Sequence, residues 1–164
     1  MTSAFHIPKA LAFVQAPKPT PKSCATEAYY GVNAFKLVSV DGTETTIRYR
    51  IIPDSGSETY TAEEVKDKSA DFLQEELRSR LSSQTPSAFP LVAQLAGPGD
   101  STDDATIHWP EERKQIKLGT IRLESVVDGS AELQRTLIMD PVPRVEGVKA
   151  SDDPLLDFRA SVYL

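Results

Sequence analysis

Two stretches beyond residue 27 have the pattern of adjoining β-strands. Residues 28–40 and 45–52 are rich in β-branched and aromatic side chains, and Asp41-Gly42 stands between them. Asp-Gly tolerates the positive φ angles of tight hairpin turns. In the second stretch the apolar residues at 47, 49 and 51 alternate with Arg48 and Arg50, the period of a strand with one face in water. The pattern predicts a β-hairpin whose arginine face is solvated.

A helix is predicted after the hairpin. Thr61-Ala-Glu-Glu64 has the sequence of a capping box, in which the threonine and the glutamate satisfy each other's backbone N–H groups. Apolar residues then recur near one helical face, namely Val65, Phe72, Leu73, Leu77 and Leu81. The stretch Ser-Ser-Gln-Thr-Pro at 82–86 ends this helix.

Three further apolar runs, residues 89–96, 116–127 and 133–139, predict strands, and residues 141–152 are predicted to be irregular. Pro154 suits the first position of a helix that continues to Leu164, because three residues that favour helix N-termini precede it. The strands follow one another closely. The order therefore predicts an α+β fold with an antiparallel β-sheet and flanking helices.

Length and proline content divide the chain into two parts. The 164 residues, 40% of them apolar, suit one ordinary globular domain. Prolines at 17, 19 and 21 favour an extended backbone in their neighbourhood. We therefore predict an N-terminal arm and proline-rich linker over residues 1–23 and a core domain over 24–164.

Charge and composition narrow the possible partners. A formal net charge of -6 with scattered basic residues argues against a nucleic-acid partner. No apolar run approaches the length of a bilayer span, and no signal-peptide pattern precedes the core. The single cysteine, Cys24, excludes an internal disulfide. An intracellular, cytoplasmic location without membrane contact is the expectation.

The common catalytic motifs are missing from the sequence. It contains no phosphate-binding glycine loop, no Gly-x-Ser-x-Gly and no closely spaced His or Cys pair. His6 falls in the predicted arm, and His108, beside Trp109-Pro110, is expected to have a packing role. The acidic loop at 100–104 lacks the spacing of a calcium site and is expected to be solvated.

One pair of side chains could carry chemistry. Arg159 and Tyr163 are four residues apart on the predicted final helix and therefore share a face. A guanidinium near a phenol favours the phenolate, and a phenolate is a known haem-iron ligand. By spacing alone, an ordinary exposed arginine above a tyrosine is the commoner explanation.

Several other segments of the sequence bear on the interpretation of Arg159 and Tyr163. They occur in the order Tyr29-Tyr-Gly-Val-Asn-Ala-Phe-Lys36, Trp109-Pro110, Leu118-Gly119, Ile121-Arg-Leu123, Asp140-Pro141, Gly147 and Ser151-Asp-Asp-Pro-Leu-Leu-Asp-Phe-Arg159. In that order, with that spacing to Tyr163, the chain from Tyr29 to Leu164 resembles the second half of the haem catalase superfamily. It is most similar to the short catalase-related haem peroxidases.

The resemblance implies roles for individual residues. Tyr163 matches the haem-iron ligand, Arg159 the arginine that holds the phenolate, and Asp153 an acid behind that arginine. Asn33 stands where large catalases commonly have a histidine linking the acid and the arginine. Positions that pack against the porphyrin in the family match Met139, Leu155 and Val162, although ordinary core packing explains such residues equally well.

The resemblance also implies a fold, and it implies that this chain lacks part of that fold. The family's core is a closed antiparallel β-barrel, of which this chain would form half, cut at both ends. The distal histidine that cleaves peroxide lies before this half in the family, so the chain is expected to lack it. Open sheet edges in half a barrel favour self-association.

Three functions remain open from the sequence. The first is a catalase-related haem peroxidase that decomposes hydrogen peroxide or uses it to oxidise a small organic donor; rearrangement of fatty-acid hydroperoxides is a related chemistry. The second is a non-catalytic catalase-like remnant or interaction module with weak or no haem binding. The third is an unrelated β-rich ligand-binding domain. The missing distal base favours low activity of this chain alone.

Overall fold

A computed structural model describes residues 11, 12 and 14–163. Most of the predicted arm therefore lies outside the described residues. The strands are β1 (Thr20–Pro21), β2 (Tyr29–Tyr30), β3 (Phe35–Val38), β4 (Glu44–Ile51), β5 (Thr59–Tyr60), β6 (Ala88–Leu95), β7 (Gln115–Arg122) and β8 (Val148–Ala150). The helices beyond residue 60 are α1 (Ala62–Val65), α2 (Phe72–Ser82), α3 (Ser130–Gln134) and α4 (Pro154–Tyr163).

The main sheet has six strands and is antiparallel throughout. Its order is β7-β6-β4-β3-β8, and β2 pairs with β4 beyond the end of β3. Strands β1 and β5 form a separate two-stranded sheet, so part of the predicted linker is paired. The predicted α+β class with an antiparallel sheet is confirmed. The division of the chain at residue 23 stays a prediction.

The hairpin forms where the sequence places it. Strands β3 and β4 pair from Phe35↔Ile47 to Val38↔Glu44, and Gly42 between them has φ 84°. The side chain of Asp41 accepts the backbone N–H of Thr43 at 3.0 Å. The first predicted strand is interrupted, because residues 31–34 separate β2 from β3.

The predicted solvated face of β4 is wrong. Arg48 is 6% exposed and Arg50 is also buried, because the segment before β7 folds over this side of the sheet. Arg48 lies 4.5 Å from the ring centroid of Trp109, and Arg50 donates to Glu111 at 2.7 Å. Alternation revealed the two faces of the strand correctly, but it could not reveal that a later segment covers the polar one.

The capping box is confirmed, and the continuous helix predicted after it is wrong. Thr61 and Glu64 bond reciprocally, but α1 ends at Val65 and α2 begins only at Phe72. The aromatic rings of Phe72 and Tyr60 lie 5.9 Å apart. An unbroken helix from Thr61 would carry Phe72 roughly 16 Å along its axis and lose this contact.

The region before α4 also departs from the sequence pattern. Residues 133–139 form no strand; α3 covers their beginning, and the rest is irregular. The sheet instead gains the short β8, which pairs with β3 from Phe35↔Ala150 to Leu37↔Val148. Residues 141–152 were predicted to be irregular, because three residues are too few to show the alternation of apolar and polar side chains that indicates a strand. Strand β8 brings the start of α4 to the sheet.

Candidate functional site

Helix α4 begins as its sequence predicts. Asp153 Oδ1 accepts the backbone N–H of Leu155 at 2.9 Å, as an N-terminal capping residue does, and Pro154 occupies the first helical position. Leu156 and Ala160, one turn apart, are buried. They fix which side of α4 packs on the protein and leave another side to solvent.

Asp153 is tied to the sheet as well as to the helix. Its Oδ2 accepts a 2.9 Å hydrogen bond from Nδ2 of Asn33, and both side chains are buried. The Asp153 carboxylate forms no ion pair with Arg159 among the described residues. The contact with Asn33, between β2 and β3, therefore sets the position of the first turn of α4.

The structure brings Arg159 and Tyr163 together at the exposed end of α4. The guanidinium carbon lies 5.8 Å from the centroid of the tyrosine ring, and Tyr163 is 44% exposed. Arg159 forms no ion pair within 4.0 Å in the described part of the chain. Among the described residues, no carboxylate therefore forms an ion pair with the guanidinium that lies beside the phenol.

The apolar residues singled out from the sequence lie at the surface. Leu155, Val162 and Met139 are 40%, 65% and 68% exposed, and Phe158 on the same helix as Leu155 and Val162 is exposed too. Leu155, Phe158 and Val162 follow the i, i+3, i+7 spacing of one helical face. An apolar face in water next to a phenol and a guanidinium is a surface suited to covering by an apolar group.

A buried cation lies behind this helix. Burial lowers the pKa of Arg48, and the carboxylates of Asp100, Asp153 and Asp104 oppose that shift. The Arg48 guanidinium donates to the carbonyl oxygens of Ile107 at 2.6 Å and Asp104 at 3.1 Å. Its Nε–H is buried and finds no acceptor among the described residues.

The segment that covers Arg48 is held by side chains. Trp109 Nε1 donates to the Ser101 carbonyl at 2.6 Å, and Gln94 Nε2 donates to the Pro110 carbonyl at 2.9 Å. The sequence analysis missed this network. A glutamine within the apolar run at 89–96 was the available signal, since a polar residue inside a strand that faces the core needs a buried partner.

Two cavities flank the network. One of about 860 Å³ lies between the loop at 101–107 and the start of α4, with Asp103, Asp104, Leu155 and Phe158 in its wall. The other, about 620 Å³, is lined by β2, the arginines of β4 and the residues from His108 onward. His108 is exposed at the surface of this second cavity.

The acidic loop is organised by its own hydrogen bonds. Asp100 accepts two hydrogen bonds from the Arg113 guanidinium, and this hydrogen bonding lowers the pKa of the Asp100 carboxyl. Asp103 accepts from Ser101, and Asp104 accepts from Thr106.

No group of three or more His, Cys, Asp or Glu suited to a metal ion occurs within residues 11, 12 and 14–163. Cys24 is half-buried and free.

The fold and the site together define an antiparallel α+β protein that displays a phenol and a guanidinium on an exposed helical face. The sequence model of the Catalase family matches residues 4–164. The chain belongs to the catalase family, as the sequence resemblance indicates. The match begins well before Tyr29, and so includes most of the predicted arm and linker.

Two curated catalase-related peroxidases are similar to this chain over most of its length. It is 31% identical over 155 residues to a catalase-related peroxidase of Synechococcus elongatus, covering 94% of this chain and 45% of the relative. It is 34% identical over 143 residues to a catalase-related peroxidase of Mycolicibacterium paratuberculosis, covering 87% of this chain and 45% of the relative. The chain thus spans about half the length of these relatives.

Solved structures agree on the fold. A fungal catalase superimposes with a TM-score of 0.79 at 20% identity over 88% of this chain and 31% of its own. A bacterial catalase gives 0.76 at 22% identity over 88% of this chain and 30% of its own. The open sheet therefore corresponds to part of the catalase fold. In the described residues no helix combines the length and apolarity of a membrane span.

Proposed function

We propose that this chain is the haem-holding part of a catalase-related peroxidase. Tyr163 would hold the iron through its phenol oxygen, and Arg159 would stabilise negative charge on that oxygen. The observation that carries the proposal is the Arg159 guanidinium 5.8 Å from the ring centroid of Tyr163 on an exposed helical face.

The exposed apolar residues matched to porphyrin contacts suit a large, flat, apolar group. Leu155, Val162 and Met139 expose apolar side chains that a porphyrin could cover. The phenol is a hard oxygen donor suited to ferric iron, and no carboxylate of residues 11, 12 and 14–163 forms an ion pair with the neighbouring arginine. Bound haem would supply the redox chemistry that consumes hydrogen peroxide and oxidises a small organic donor.

The remaining residues would position the ligand. Asn33 and Asp153 fix the first turn of α4, and the buried Leu156 and Ala160 fix its rotation about its axis. Tyr163, at the far end of the same rigid helix, takes its position from both. Asp153 is therefore a positioning residue in this proposal, and Arg159 contacts the ligand group directly.

An absorbance titration of the purified chain with ferric haem tests the proposal. We expect a saturable change in the Soret band that Tyr163→Phe abolishes. Tyr30→Phe is a matched control, because Tyr30 is also exposed and has the guanidinium of Arg50 5.4 Å from its ring centroid. An unchanged titration of Tyr163→Phe, or equal losses in both variants, would contradict an iron-tyrosinate site.

Turnover is a separate part of the proposal. Peroxide cleavage needs a base close to the bound peroxide, and none of the described residues that line the cavity beside α4 is a histidine. We therefore propose that the haem-loaded chain alone consumes peroxide little faster than free haem. A large, saturable rate would overturn this part while keeping the haem site, and the His108→Ala variant would then show whether His108 supplies the base.

The non-catalytic alternative makes a different prediction in the same titration. A remnant or interaction module that has lost its cofactor would show no saturable change in either the parent chain or its variants. The titration therefore separates loss of the cofactor from loss of turnover.

A further inference from the structure

Arg48 and Asp153 carry opposite charges, and both are buried within this chain. Arg48 on β4 is 6% exposed, and Asp153 at the start of α4 is 5% exposed. The described hydrogen bonds of both side chains are with uncharged groups. Arg48 donates to two backbone carbonyl oxygens, and Asp153 accepts from the amide of Asn33 and from a backbone N–H. Such bonds orient a charge without balancing it, and an unbalanced buried charge is strongly destabilising.

The strand register places Arg48 across from the segment that carries Asn33. Strand β2 pairs with β4 up to Arg50, and β3 resumes the pairing at Ile47. The four residues 31–34 therefore lie opposite only two residues of β4, one of which is Arg48. Asn33 belongs to this bulge. Arg48 thus lies across from the segment whose side chain holds the start of α4.

The loop that covers Arg48 also lies beside the start of α4. Asp104 and Ile107 supply the two carbonyl oxygens that accept from Arg48, and both residues line the 860 Å³ cavity together with Asp153. Burial lowers the pKa of Arg48, and the charge of Asp153 is among those that oppose this shift. The register and the loop therefore agree in bringing the guanidinium within electrostatic reach of this carboxylate.

The other two carboxylates that act on Arg48 are bound elsewhere. Asp100 accepts two hydrogen bonds from the guanidinium of Arg113, a cation of its own. Asp104 is half-buried, and its side chain accepts from the hydroxyl and the backbone N–H of Thr106. Asp153 is buried more completely and accepts from uncharged donors. Arg48 is therefore placed to balance Asp153 in particular.

We propose that Arg48 balances the negative charge of Asp153 from the side of the sheet and is thereby a positioning residue for α4. Arg159, which forms no ion pair with Asp153 among the described residues, then remains beside the phenol of Tyr163. Any effect of Arg48 on Tyr163 as an iron ligand rests on the proposed function, whereas the balance of charge between Arg48 and Asp153 does not involve haem.

A double-mutant cycle, measured by urea denaturation of the haem-free chain, tests the charge balance. In the parent chain, Asp153→Asn leaves Arg48 without its countercharge, and we expect the unfolding equilibrium constant to rise about fivefold or more. In an Arg48→Met background the same substitution removes a buried charge that has lost its counterpart. We therefore expect the constant there to rise by less than about twofold, or to fall. Additive effects of the two substitutions would overturn the proposal.

Two further variants separate charge from packing. Arg48→Lys keeps the charge but not the forked set of donors, so Asp153→Asn should again be destabilising in that background. Asp157→Asn is the matched control, because Asp157 is an exposed acid in the first turn of the same helix. Its effect should be the same with and without Arg48→Met. Equal coupling of Arg48 to Asp157 and to Asp153 would contradict a specific balance.

The cycle does not depend on one folded variant. If Arg48→Met fails to fold, Arg48→Gln replaces it, because glutamine removes the charge and can still donate to a carbonyl oxygen. The amide NMR signal of Leu155, whose N–H donates to Asp153, reports the first turn of α4. We expect this signal to shift when the charge of Arg48 is removed and to return in Arg48→Lys. A parental signal in the uncharged variant would overturn the positioning role.

A Soret titration of the folded variants measures the consequence for Tyr163. We expect Arg48→Met to weaken the binding of ferric haem about threefold or more and Arg48→Lys to restore most of the affinity. Arg135→Met, at an exposed ion pair with Glu132, should leave the affinity unchanged. No saturable change in the parent chain would contradict the proposed function alone, because the cycle and the amide signal are measured without haem.

Discussion

Asn33 and Asp153 are joined by a 2.9 Å hydrogen bond although 120 positions separate them in the sequence. Asp153 is 5% exposed, and its other carboxylate oxygen accepts the backbone N–H of Leu155. A single side chain thus connects the sheet to the first turn of α4. The position of Arg159 and Tyr163 relative to the sheet depends on this connection.

Removing the donor from this bond should destabilise the fold. We expect Asn33→Ala to lower the free energy of unfolding by about 1–3 kcal/mol, because the buried Asp153 loses a hydrogen bond that water cannot replace. Urea denaturation followed by circular dichroism measures the change. Asp152→Asn is the control, because Asp152 is exposed and its ion pair with Lys36 is long, at 3.4 Å. This substitution should change stability by less than about 0.5 kcal/mol. Equal effects of the two substitutions would contradict this role for Asn33.

Arg48 should hold the segment from Asp100 to Trp109 against the sheet. We expect Arg48→Met to cost about 2–3 kcal/mol of stability, because two carbonyl oxygens lose a charged donor and Trp109 loses the cation beside its ring. Trp109 is the only tryptophan in the sequence, so its fluorescence reports the local change.

A surface arginine provides the control for this substitution. Arg135→Met removes an exposed ion pair with Glu132 and should change stability by less than about 0.5 kcal/mol. If Arg48→Met leaves both the tryptophan emission and the denaturation midpoint unchanged, the segment is held by other contacts.

The hairpin turn should respond to acid. Hydrogen bonds from the Ser39 hydroxyl and the Thr43 backbone lower the pKa of Asp41 from its ordinary 3.8 to about 2. A carboxyl group with a lowered pKa in the folded state stabilises that state fully above its unfolded pKa. The contribution of Asp41 is therefore present above pH 3.8 and is lost as the pH falls through about 2.

An NMR titration of the side-chain carboxyl groups measures this directly. We expect the Asp41 signal to titrate well below those of other exposed aspartates, and the amide signal of Thr43 to shift with it. Asp41→Asn should remove the acid-dependent shift of Thr43. Titration of Asp41 near its ordinary pKa would contradict the hydrogen bonding in the turn.

The arginine beside Tyr163 should matter through its charge. We expect Arg159→Met to weaken the binding of ferric haem about tenfold and Arg159→Lys to restore much of the affinity, because either cation stabilises negative charge on the phenol oxygen. The Soret titration measures both variants. Equal binding by the methionine and lysine variants would show that charge at this position is unimportant.

The sequence predicts those elements whose signals are local. The Asp41-Gly42 turn, the Thr61–Glu64 capping box and Pro154 at the start of α4 each depend on a few neighbouring residues, and all three are confirmed. The break between α1 and α2 could not be predicted in this way. It follows from the contact between Phe72 and Tyr60, which only the folded chain brings about.

The candidate site also contains one part that local spacing predicts and another part that it does not. Arg159 and Tyr163 are one helical turn apart, so their proximity follows from spacing alone. The burial of Arg48 depends on Trp109, more than fifty residues later in the sequence, and alternation along β4 gave no indication of it. Met139 was placed on a strand that the structure lacks, although its apolar side chain does lie at the surface.

The pairing of β3 with β8 has a consequence for synthesis on the ribosome. Strand β3 meets β4 within a short hairpin, but its other neighbour is made more than a hundred residues later, as the 120-residue separation of Asn33 and Asp153 shows. During elongation at about 5–20 residues per second, that side of β3 remains uncovered for several seconds. Such long-range pairing also slows folding once the chain is complete. A nascent chain of this protein should therefore depend on chaperones until residues 148–156 have left the ribosomal tunnel.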